Sequence, residues 1–169
     1  LEIATKMMHD NGESVHADIL EEAIELRRKI ARIGEEETDE GDWFFGIWQP
    51  DGISKKSTRE LIDQQDNWIL KPGAAWHGFR QSELADGYTM LDPIKLTFLC
   101  PGIDVHGAWA DKGIPAAIVT RYLGDKGIVC EKTDYYSWLL LNSLGTTKGK
   151  QGSLLAELFR FRELYKSNA

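Results

Sequence analysis

The sequence predicts an α+β fold, a small mixed or antiparallel sheet with helices packed on it. Three observations lead there. Segments of helical and strand-like periodicity follow one another as helix, strand, strand, helix, strand, strand, helix. Pro115 and Gly127 bracket a helix between two strand-like runs, so a strand–helix–strand unit is followed by a hairpin. The last helix, over residues 148–166, spaces Leu154, Leu155, Leu158, Phe161 and Leu164 with a 3.6-residue period that turns them toward a core.

The elements follow in order. Leu1-Glu2-Ile3-Ala4-Thr5-Lys6-Met7-Met8 reads as the end of a helix with no cap before it, and so as part of a fragment of a longer chain. A second helix is expected over 14–33, with Val15, Ile19, Ala23, Ile24, Ile30 and Ile33 on one side. Glu21, Glu22, Glu25, Arg28, Lys29 and Arg32 cover the other, Ser14 is the cap and Gly34 the stop. An acidic linker, 34–42, comes next; nothing fixes its geometry, so it reads as solvated rather than as a metal site. Trp43 to Trp48 reads as a buried strand closed by Gln49-Pro50-Asp51-Gly52, and the polar stretch 51–67 as a loop or variable insertion. Further strands are expected at 94–99, 128–132 and 137–141, the last two joined by a turn at Thr133-Asp134-Tyr135. The sheet-and-helix core thus takes in 43–50 and 88–166 of a single domain.

A chain of 169 residues has room for one real core. Its net charge of −7 argues against a nucleic-acid surface, which needs clustered cations to neutralise phosphates. No apolar run approaches the roughly 20 residues of a membrane span, and no secretory signal is visible. Two cysteines, Cys100 and Cys130, at the ends of strand-like runs read as reduced and buried, which favours a cytoplasmic home.

Several motifs fall to ordinary readings. Gly145-Thr146-Thr147-Lys148-Gly149-Lys150-Gln151-Gly152 imitates a phosphate loop, but only three residues separate its first glycine from Gly149-Lys150, and Gln151 stands where a hydroxyl is needed. It reads as a glycine-rich turn into the last helix. The four histidines, His9, His16, His77 and His106, show no i,i+4 pair, so no metal centre is expected, and His9 and His16 read as surface residues. No nucleophile elbow and no cysteine beside a basic group is present.

Two positions remain. Trp76-His77-Gly78-Phe79 gathers two aromatics and an imidazole around a glycine, a pattern that means close packing slightly more often than ligand contact. In the run Ile128 to Lys132, alternation sets Ile128 and Cys130 on one face and Val129 and Glu131 on the other. From the pattern alone Glu131 is an exposed strand end; the other reading is a deliberately placed anion.

The segments Asp42 to Pro50, Trp76 to Phe79, Leu91-Asp92-Pro93-Ile94-Lys95-Leu96-Thr97, Pro101-Gly102, Gly113-Ile114-Pro115-Ala116-Ala117-Ile118-Val119, Gly127-Ile128-Val129, Glu131-Lys132-Thr133, Thr147-Lys148-Gly149-Lys150 and Phe159-Arg160-Phe161 resemble, in this order, the ornithine/lysine/arginine decarboxylase family, most of all its bacterial lysine decarboxylases. Only 52–66 and 81–87 lack the family pattern. The resemblance implies the small, C-terminal-side domain of a pyridoxal-phosphate enzyme of the aspartate aminotransferase-like fold type I. Such enzymes are lyases of amino-acid and polyamine metabolism. They convert a basic amino acid to its amine and CO2, with the cofactor ring as electron sink.

The resemblance gives Glu131 a role, pairing the distal ammonium of the substrate, and makes Trp76 and His77 weaker substrate-binding candidates. The Schiff-base lysine belongs to a Ser-x-His-Lys context that none of the twelve lysines has. The cofactor aspartate and phosphate loop likewise belong to the large domain, so this chain is expected to carry no catalytic, cofactor-binding or metal-binding residue and to be inactive alone. The implied partners are the substrate, the rest of the same polypeptide and identical subunits in an oligomer built from dimers. The rival reading is a binding or assembly module that keeps the fold without the chemistry.

Overall fold

Helix α1 (Glu2–Glu36) is one continuous helix where the sequence predicts a break. The computed structural model describes residues 1–36, 43–84, 89–102 and 108–167. Ser14 is no cap: its hydroxyl donates to the carbonyl of Asn11 one turn back, satisfying itself inside the helix. Gly34 does not stop the helix, which runs on through Glu35 and Glu36 of the expected acidic linker; residues 37–42 lie outside the described residues. Only the second half of α1 is anchored, through buried Ala23, Ile24, Leu26, Arg27 and Ile30.

The four strands β1 (Gly46–Ile47), β2 (Lys95–Leu99), β3 (Lys132–Thr133) and β4 (Ser137–Leu141) form a sheet in the order β1-β2-β4-β3, with every neighbouring pair antiparallel. β1 is shorter than the expected 43–48 because Trp43 and Phe44 turn to aromatic partners on another helix, Tyr165 at 5.6 Å and Phe159 at 4.7 Å between centroids. The predicted hairpin is present: Asp134 N–H donates to Ser137 O at 2.8 Å, and the Asp134 carboxylate accepts Tyr135 N–H.

Helices α1, α3 (Ala116–Asp125) and α4 (Lys148–Lys166) contribute to one core with the sheet residues Leu96, Phe98 and Trp138. Phe98 and Trp138, cross-strand partners, stack at 4.1 Å. The other face of β2 and β4 presents the alternate residues Lys95, Thr97, Leu139 and Leu141. On α4, Leu154, Leu158 and Phe161 are buried and Leu155 half-buried, but Leu164 is exposed. Each three-residue step turns a side chain back by about 60°, which carries Leu164 off the core face.

The stretch 51–67 is not a featureless loop. It holds a 3-10 turn (Ile53–Lys55) and helix α2 (Thr58–Asp63), capped by Ser57, whose hydroxyl accepts Glu60 N–H. Ile53, Leu61, Trp68, Leu70 and Leu91 form a second core cluster with Ile24 of α1, and Trp68 Nε1–H donates to Leu61 O at 2.8 Å.

One close approach sets the start of α3. A Cβ on Gly113 would stand 2.7 Å from Pro101 O and 2.8 Å from Tyr136 Cε1, so glycine is required there. Ile114 and Ala116 then donate their N–H groups to Pro101 O and Tyr135 O.

Candidate substrate-binding site

The segment carrying Glu131 starts where α3 ends. Gly127, at φ +78°, lets the chain reverse, and Ile128 N–H returns to Leu123 O at 2.9 Å. Beyond it Ile128 and Cys130 are half-buried while Val129 and Glu131 are exposed, the alternation read from the sequence. The strand is shorter and later than expected, because pairing with β4 begins at Lys132, opposite Leu139. Glu131 is nonetheless fixed by its backbone, whose N–H donates to Leu139 O at 2.8 Å. Two residues on, the Thr133 hydroxyl lies 3.2 Å from that of Thr120 on α3. The Glu131 carboxylate itself has no hydrogen-bond or ion-pair partner among the described residues.

The Trp76–Phe79 segment is built otherwise. A 3-10 turn (Ala75–His77) ends at Gly78 in the left-handed region, φ 75°. His77 is only 3% exposed, and both ring nitrogens serve the backbone: Nδ1 accepts Phe79 N–H at 3.1 Å, which leaves Nε2–H to donate to Lys71 O at 2.9 Å. Trp76 is half-buried, 5.5 Å from Trp48 and 5.2 Å from the His77 ring. The fold thus uses both nitrogens of the His77 ring. Among the described residues no hydrogen bond or ion pair joins Glu131 to Trp76 or His77; Leu139, whose carbonyl accepts Glu131 N–H, lines a cleft together with Trp48 and Phe79.

The residues here do not fit a pyridoxal-phosphate site. Every lysine among the described residues is exposed except half-buried Lys56, which is bonded to Asn67, and a Schiff-base lysine needs a desolvated pocket that lowers its pKa. The cysteines are free thiols; burial pushes Cys100 up to about 12 and Cys130 to about 11, the reverse of an activated nucleophile. Among the described residues no cluster of three or more His, Cys, Asp or Glu could hold a metal, and no helix is long and apolar enough to cross a membrane. The glycine-rich run 145–152 forms a turn and the first turn of α4, capped by Thr147, which accepts Lys150 N–H.

The pairing of an antiparallel sheet with α3 and α4, and an exposed glutamate anchored by its backbone at the sheet edge, now has a family to set it in. Residues 1–150 match the family model described as Orn/Lys/Arg decarboxylase, major domain, and the chain belongs to that family. It is 42% identical to lysine decarboxylase LdcA of Pseudomonas aeruginosa over 99% of its length and 22% of that protein's. It is 36% identical to the biodegradative arginine decarboxylase of Escherichia coli, over 99% of this chain and 23% of that one. The solved structure of the constitutive lysine decarboxylase of E. coli superposes with a TM-score of 0.83 at 37% identity, covering 99% of this chain and 22% of that one. The chain therefore spans about a fifth of the length of the curated relatives it matches.

Sequence reading missed Arg27, a fully buried side chain. Its Nε donates to Pro93 O at 2.8 Å, one terminal nitrogen to Lys95 O at 2.7 Å, and the other to Trp48 O at 3.3 Å. Burial lowers its pKa to about 9, and nearby Asp92 opposes that fall, so it stays charged at neutral pH. The signal was its position between Ala23, Ile24 and Ile30, on the face that is buried.

Proposed function

We propose that this chain is the small, substrate-facing domain of a pyridoxal-phosphate-dependent decarboxylase that converts a basic amino acid, lysine by preference, to its amine and CO2. The observation that carries this is Glu131: an exposed carboxylate without an internal partner among the described residues, on a backbone held by Leu139, in a chain of the Orn/Lys/Arg decarboxylase family. A carboxylate on an anchored backbone suits a distal ammonium, and a charge-assisted bond of that kind contributes roughly 1.5–3 kcal/mol. A guanidinium also pairs well with a carboxylate, so lysine is favoured over arginine only weakly by this group, and ornithine stays within the class.

The cofactor supplies the electron sink and is held by the rest of the polypeptide. This chain's part is to bind and orient the far end of the substrate through Glu131. Trp76 and His77 keep the neighbouring wall in shape. The whole enzyme is a cytoplasmic homo-oligomer built from dimers, and the isolated chain releases no CO2. The test is the complete polypeptide supplied with pyridoxal phosphate and each of lysine, ornithine and arginine. Release of CO2 from lysine supports the reading; release from none of the three overturns it.

A further inference from the structure

A cleft lies on the face of the sheet opposite Leu96, Phe98 and Trp138. It measures about 320 Å³ and is walled by Trp48, Leu70, Phe79, Met90 and Leu91 above Thr97 and Leu139. That volume is at the small end of ligand pockets, which run from about 300 to 1,000 Å³. Glu131 does not line the cleft, whose occupant is a separate matter from the role proposed for that residue and does not depend on it.

Two opposite charges, Asp92 and Lys95, also line the cleft. Their closest approach, Lys95 Nζ to Asp92 Oδ2, is 3.7 Å, beyond a normal hydrogen bond, and the side chains are 55% exposed for Lys95 and 44% for Asp92. Such a loose, solvated pair is worth little and is readily re-partnered. The backbone beneath it is rigid. Buried Arg27 holds the carbonyls of Trp48, Pro93 and Lys95, and Asp92 Oδ1 accepts Ile94 N–H. The backbone that carries both charges is thus positioned before any ligand arrives, which reduces the entropy lost on binding.

An apolar cleft with one anion and one cation beside it is complementary to a molecule with an ammonium, a carboxylate and an apolar chain on one carbon. We propose that the cleft binds a small apolar α-amino acid as its zwitterion. The ligand's ammonium pairs with Asp92, its carboxylate with Lys95, and its side chain lies against Trp48 and Phe79 over Leu139.

The test is a titration of the complete polypeptide, selectively labelled with isotopes, with L-norleucine, followed at the amides of Thr97 and Leu139 and at the Trp48 indole. Saturable shifts at these three groups are expected. L-Alanine, three carbons shorter, should bind about tenfold or more weakly because less apolar surface leaves water. N-acetylnorleucine amide, with neither charge, should lose about tenfold as well. Asp92→Asn and Lys95→Met should each weaken norleucine about fivefold while leaving the rest of the spectrum in place, since both side chains are partly exposed. Absence of shifts at Thr97, Leu139 and Trp48 overturns the site. Equal binding of norleucine and its neutral analogue, or no response to either charge variant, overturns the zwitterion.

Discussion

In the Trp76–Phe79 segment the polar atoms of the imidazole are consumed by the fold, whereas in the Ile128–Thr133 segment the Glu131 N–H is consumed and its carboxylate is left over. His77 spends both ring nitrogens on Lys71 and Phe79. Glu131 spends only its N–H, on Leu139. Both segments stand out in the sequence, and chemistry-bearing residue types alone do not separate them. What separates them is whether the functional atoms still have bonding capacity once the chain has folded.

That contrast makes the two residues respond oppositely to substitution. His77→Leu should be the costlier change, since it strands a carbonyl and an amide N–H in a largely buried place. A loss of about 2–4 kcal/mol is expected, read as a fall of roughly 6–12 °C in the thermal midpoint. Stability within about 1 kcal/mol of the parent would erase the distinction. Gly113→Ala, outside both segments, should cost about 1–3 kcal/mol through the 2.7 Å clash with Pro101 O, measured by urea denaturation. Glu131→Ala should change stability by no more than about 0.5 kcal/mol; a larger loss would mean that its carboxylate serves the fold.

The smallest effect concerns the thiols. Their folded pKa values, about 12 for Cys100 and about 11 for Cys130, lie above the ordinary value of 9.0 because burial disfavours the thiolate. Between pH 9 and those values the unfolded chain has released protons that the folded chain still holds. Their contribution to stability is therefore complete below about pH 9 and is lost as pH rises toward 12. Alkylation by iodoacetamide at pH 9 should be slow for both cysteines in the folded chain and fast in urea; equal rates would contradict their burial.

Much of the fold is legible where each element keeps one period throughout. The apolar spacing of α4 and the turn at Thr133-Asp134-Tyr135 predict those elements with few errors, because local pattern and tertiary burial agree there. Leu164 departs since three-residue steps drift off a face. The stretch 51–67 reads as loop because its buried residues, Ile53 and Leu61, sit in elements too short to show a period, and they meet Trp68 only in three dimensions. Arg27 lies where the helical period marks a buried position, but a charged side chain there makes sense only once the carbonyls of Trp48, Pro93 and Lys95 converge on it. At the candidate site, the exposure of Glu131 follows from alternation, but nothing in the local pattern distinguishes a solvated strand end from a substrate anchor. Family resemblance alone makes that distinction, because a carboxylate with no internal partner among the described residues fits both readings. The bonding of His77 depends on Lys71, six residues earlier, and on a left-handed Gly78 that the sequence permits without requiring.

Glu131 carries the proposed function, and steady-state kinetics of Glu131→Gln in the complete enzyme test it most directly. KM for lysine should rise about tenfold, while the affinity for pyridoxal phosphate and the thermal midpoint stay as they are. Unchanged lysine kinetics in a well-folded, cofactor-loaded variant would make Glu131 an ordinary strand end and contradict the proposed role.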